Sequence, residues 1–116
     1  MDLEKLVDVL EATVIVKGKS GEIRIESVCA SDLMSDVLTF IQPGALLLTG
    51  LANSHVIRTL EMSEIDCVCF VRGKQPQDDA VALARQKHMT LLTTKLSMFD
   101  ACGRLHAEGM ASGCVM

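Results

Sequence analysis

Three cations occupy positions where they could do chemistry. Arg72 and Lys74 flank Gly73, and Lys95 follows Thr93 and Thr94, in a chain whose formal net charge is -4. A guanidinium grips carboxylate or phosphate through paired N–H groups, and an ammonium adds a point charge. Phosphate or carboxylate would be the natural guest of such a pocket. A solvated loop whose glycine supplies the turn accounts for Arg72-Gly73-Lys74-Gln75-Pro76 equally well. The second candidate is Thr49-Gly50-Leu51-Ala52-Asn53-Ser54. Backbone N–H groups at a helix start can hold an anion. A plain N-cap by Asn53 or Ser54 is the stronger local explanation. Neither the dinucleotide fingerprint nor the P-loop pattern is present.

Other reactive residues point to structure. Asp32 and Asp36 lie one helical turn apart, and acidic side chains there favour a helix start. Cys67 and Cys69 face the same side of one strand. No CxxC or HxxxH spacing joins the five cysteines (Cys29, Cys67, Cys69, Cys102, Cys114) to the three histidines (His55, His88, His106). No metal site is expected. An odd cysteine count suggests free thiols rather than a disulfide framework. Cys67 and Cys69 read as core residues, and Cys114 falls in a tail with no expected structural role. No nucleophile, base and orienting group can be named together, so no catalytic residue is assigned.

The elements that would position these residues follow from periodicity. Leu3, Leu6, Val7 and Leu10 predict an amphipathic helix capped by Asp2. Thr13–Val16 is β-branched and predicts a strand, and residues 17–21 predict a turn. Ile23 and Ile25 suggest a short edge strand, and Ser27–Ala30 another. An alternation follows: a helical stripe of Leu33, Met34, Val37, Leu38 and Ile41; an apolar run at 45–48; a helix with Val56, Ile57 and Leu60; a second run at 67–71. A helix over 77–87, a strand over 90–93, and a helix with Met98, Ala101, Cys102 and Leu105 complete it. Apolar strands between helices predict a three-layer α/β fold, a mostly parallel sheet of about five strands with helices on both faces. Residues 1–109 form one domain, and 110–116 read as a flexible tail. Ligands of such sheets bind beyond the carboxyl ends of the strands, where Thr49, Arg72 and Lys95 fall.

Composition narrows the function classes. There is no Trp or Tyr, and aromatics make up 3%, which removes the usual base-stacking surface. The acidic balance opposes nucleic-acid binding. No apolar run reaches the roughly 20 residues of a membrane span. The expected location is the cytoplasm.

The chain resembles the DRTGG domain family. Residues 25–38 resemble its opening strand and helix, and Leu46-Leu47-Leu48-Thr49-Gly50 the next strand and turn. Phe70-Val71-Arg72-Gly73-Lys74-Gln75-Pro76 resembles the second glycine turn, and residues 91–105 the closing strand and helix. Leu51-Ala52 stands where the namesake Asp-Arg pair would follow, and Val71-Arg72-Gly73 where the family has Thr-Gly-Gly. The family also resembles the N-terminal, non-catalytic domain of HPr kinase. The resemblance implies a non-catalytic, homodimeric regulatory module without a cofactor. It would bind a nucleotide, a phosphorylated metabolite or a protein partner. The expected site comprises Thr49, Gly50, Asn53, Arg72, Gly73, Lys74, Thr93 and Lys95, with the glycine-turn amides holding an anion and the cations neutralising it. The competing readings are a purely structural dimerisation module and, less favoured, a thiol redox sensor using Cys67 and Cys69.

Overall fold

A computed structural model of the protein describes residues 1–18 and 23–115. The turn expected at 17–21 lies partly outside them, as does Met116. The chain opens with helix α1, Leu3–Leu10, whose cap is Asp2: its carboxylate accepts from the Lys5 N–H at 2.8 Å. Strand β1 is Thr13–Val16 and β2 is Ser27–Ala30. Then come α2 (Met34–Phe40), β3 (Ala45–Thr49), α3 (Ser54–Met62), β4 (Cys67–Phe70), α4 (Asp78–Gln86), β5 (Thr90–Thr93), α5 (Met98–Ala107) and β6 (Ala111–Ser112). Ile23 and Ile25 form no strand; only Arg24 between them makes a single antiparallel bridge, to Asp2.

The strands form one sheet in the order β1-β5-β4-β3-β2-β6. All pairings are parallel except β1 with β5. From β2 to β5 each strand steps to the next position in one direction, and the right-handed rule for parallel crossovers puts the connecting helices on one face. Met34, Val37, Val56, Ile57, Leu60, Ala80 and Ala84 of α2, α3 and α4 accordingly share one core with Leu47, Val68, Phe70 and Leu91. Helix α5 steps back from β5 to the far edge, so the same rule requires the opposite face. There Ala101 and Leu105 join Leu6 and Leu10 of α1 over Leu46, Leu48, Cys67, Cys69 and Leu92. Alternate residues of each inner strand feed alternate cores, which is why β3, β4 and β5 are buried throughout and carry no polar alternation.

Several expectations are corrected. The sheet has a sixth strand. The segment expected as a flexible tail is hydrogen-bonded along the outer edge: the Gly113 N–H donates to the Val28 carbonyl at 2.7 Å, and that of Val115 to Phe40 at 3.2 Å. Cys114 is not idle there. It is disulfide-bonded to Cys29, so the cysteines are not all free; Cys67, Cys69 and Cys102 are. In α2 only Met34 and Val37 face the core, while Leu33 and Leu38 are exposed.

Candidate ligand-binding site

The carboxyl ends of β2 and β3 are tied by an aspartate. Ala30 and Leu48 are registered partners in the parallel pair, so Asp32 and Gly50, each two residues further on, come side by side. One Asp32 carboxylate oxygen accepts from the Thr49 hydroxyl at 2.9 Å and from the Gly50 N–H at 2.7 Å. Asp32 is therefore no helix cap; Leu33 stands at the cap position of α2 and makes no side-chain cap bond. Asn53 occupies the cap position of α3, also without a capping bond, and its Oδ1 is buried with no hydrogen-bond partner among the described residues.

The end of β4 turns on Arg72 and Gly73, whose φ angles are 60° and 69°. The Lys74 N–H closes the turn on the Val71 carbonyl at 3.2 Å. Two central residues at positive φ are the mark of a type I′ turn, which favours Asn-Gly. An arginine held at that first position is strained. Its side chain reaches back to the end of β3: a Cβ built on Gly50 would collide with the Arg72 guanidinium, so the guanidinium lies against the Gly50 backbone. No ion pair involves Arg72, Lys74 or Lys95 among the described residues, whereas Lys5, Lys87 and Arg104 pair with Glu108, Glu61 and Glu11.

The β4 and β5 turns are laced together. The Arg72 and Gly73 N–H groups donate to the Leu96 and Thr94 carbonyls, each at 2.8 Å. The Thr93 hydroxyl donates to the Lys74 carbonyl at 2.8 Å, and that of Thr94 to the Leu10 carbonyl at 2.6 Å. Beside this lacing lies an open cleft of about 370 Å³, lined among others by Gly73, Gln75, Thr93, Lys95 and Glu11.

The expected residues thus divide. Gly73, Thr93 and Lys95 line the cleft; Thr49, Gly50 and Arg72 meet at the neighbouring Asp32 tie. Lys74 projects its exposed side chain from the turn between them. The expectation that glycine-turn amides hold an anion is not met, because Gly50 and Gly73 already donate to Asp32 and Thr94. Asp32, Gln75 and Glu11 were absent from the expected set. Asp32 lies two residues beyond the end of β2, and only the pairing of β2 with β3 brings it to Thr49 and Gly50.

The chain matches the DRTGG domain model over residues 5–107. It belongs to the DRTGG domain family. No curated protein matches it. Among solved structures, this DRTGG domain is similar to the CBS and DRTGG regulatory region of Clostridium perfringens pyrophosphatase, solved in complex with the activator diadenosine tetraphosphate. The TM-score is 0.63 at 17% identity, and the match covers 90% of this chain and 45% of that one. The DRTGG domain thus spans less than half of that chain, and the likeness is one of fold. No helix among the described residues is long and apolar enough to cross a membrane.

Proposed function

We propose that this chain is a non-catalytic regulatory module that binds a small anionic ligand of the nucleotide or phosphorylated-metabolite class at the carboxyl ends of β4 and β5. The observation that carries this reading is Arg72. It is an exposed guanidinium with no ion pair among the described residues, held in a backbone conformation that favours asparagine or glycine. Strain of this kind concentrates at ligand sites, where the surrounding structure enforces it. Lys74 and Lys95 supply two further charges without an ion pair among the described residues, and the cleft between Gly73, Thr93 and Lys95 gives a guest room. Thr49, Gly50 and Asn53 shape the adjoining turn. The family relative supports the class of guest, since the pyrophosphatase regulatory region was solved with a dinucleotide polyphosphate.

Calorimetric titration of AMP, ATP and diadenosine tetraphosphate tests the reading. One of them binds the wild type, and Arg72→Ala and Lys95→Ala each weaken that binding at least about tenfold, roughly 1.4 kcal/mol, in line with loss of a charge-assisted contact. Equal binding by wild type and both variants removes the site. Absence of binding by every anion leaves a structural docking module, and light scattering on the same samples reads the dimer that such a module requires.

A further inference from the structure

The Cys29–Cys114 bridge ties the buried end of one element to a weakly held one. Cys29 is 1% exposed within β2. Cys114 lies 85 residues later with its Cα 5.0 Å away. It follows β6, which has two residues, both exposed. Around the bridge the segment is held by the Gly113 to Val28 and Val115 to Phe40 bonds, by the Gln42 N–H donating to the Gly113 carbonyl at 2.8 Å, and by one bridge pairing Ile41 with Cys114. Gly113 seats closely, since a Cβ there would come within 2.5 Å of the Ser27 hydroxyl oxygen. Val115 remains 60% exposed. Segments with few buried contacts and exposed backbone bonds open first.

Two further observations make this bridge more than a general staple. The family match covers residues 5–107, so the strand and Cys114 lie outside the matched residues. The Cys114 side chain packs with Cys29 on the core beneath α2, α3 and α4, so the bridge becomes accessible to a small molecule when the edge segment opens. We infer that Cys29 and Cys114 form a redox-operated latch, and that reduction by a small thiol releases residues 111–115 and bares the outer edge of β2.

The chemistry is thiol–disulfide exchange. The thiolate of a small thiol attacks the Cys114 sulfur when the edge segment opens. A mixed disulfide forms, and Cys29 leaves as a thiolate that takes up a proton. A second thiol attacks the mixed disulfide, frees the Cys114 thiol and departs as the small-molecule disulfide. Two electrons pass from two thiols to the bridge; a small-molecule disulfide reverses the process.

The test is amide hydrogen exchange on the whole chain, equilibrated with either oxidised or reduced glutathione, with thiols counted by alkylation and mass spectrometry. The oxidised form yields a peptide pair joined through Cys29 and Cys114 and three alkylatable cysteines. On reduction the Gln42, Gly113 and Val115 amides exchange faster by about tenfold or more, while those of β3, β4 and β5 do not change. Cys114→Ser reproduces the reduced pattern and ignores the oxidant. The proposal is overturned if the joined peptides never appear, if the edge amides exchange equally in both states, or if acceleration spreads evenly across the inner strands. Because the reduced wild type is measured directly, the conclusion does not depend on Cys114→Ser folding.

Discussion

Arg72 and Asp32 do opposite work at the strand ends. Arg72 holds a positive φ at a turn position suited to asparagine. Arg72→Asn should therefore raise stability by about 1 kcal/mol by relieving that strain, while weakening anion binding at least as much as Arg72→Ala. Paired melting and titration curves check this: a variant that gains no stability denies the strain, and one that keeps its affinity denies the role. Asp32 holds rather than binds. Its carboxylate serves the Thr49 hydroxyl and the buried Gly50 N–H. Asp32→Ala leaves that N–H without an acceptor and should cost about 2 kcal/mol. Urea unfolding measures it, and a loss within error of zero would mean that water replaces the carboxylate.

At the scale of the element, β4 carries two thiols into the second core. Burial pushes the Cys69 thiol up to about 12, and burial, with the Cys69 and Asp66 charges beside it, raises that of Cys67 as well. Neither is the low-pKa thiolate a redox sensor needs. The consequence for stability has a definite sign. The folded state keeps these protons at a pH where the unfolded chain, with an ordinary cysteine value near 9.0, releases them. Stability is therefore fully present below pH 9 and falls as pH rises from there through the folded values. Denaturant midpoints between pH 8 and 10.5 should decline, and Cys69→Ala should decline less steeply. The strands themselves were legible because runs such as 45–48 and 67–71 are apolar without alternation. Strand β6 was not: two residues, Ala111 and Ser112, offer no period to read, and only the edge of β2 makes them a strand.

Across the molecule, the α/β class and the placement of the cations at strand ends were readable, since both follow from patterns local to each element. What escaped was set by pairings between elements. Asp32 looked like a cap because acidic side chains favour a helix start, yet its carboxylate accepts from Thr49 and Gly50 at the end of the registered neighbour strand. Cys29 and Cys114 looked like two unrelated residues because nothing local brings β2 to the end of α5. Only the return of α5 beneath the sheet does so.

That return has a kinetic consequence. Strands β2, β3, β4 and β5 are joined by three pairings of successive strands, whereas the outer pairings, Thr13 with Thr93 and Ser27 with Ala111, join distant parts of the chain. Contacts of high sequence separation form late. Pulse-labelling during refolding should find β3 and β4 protected before either rim, and simultaneous protection of all six strands would contradict it. During synthesis the sheet can grow inward-out, with its last seam waiting for residues 111–115 to emerge.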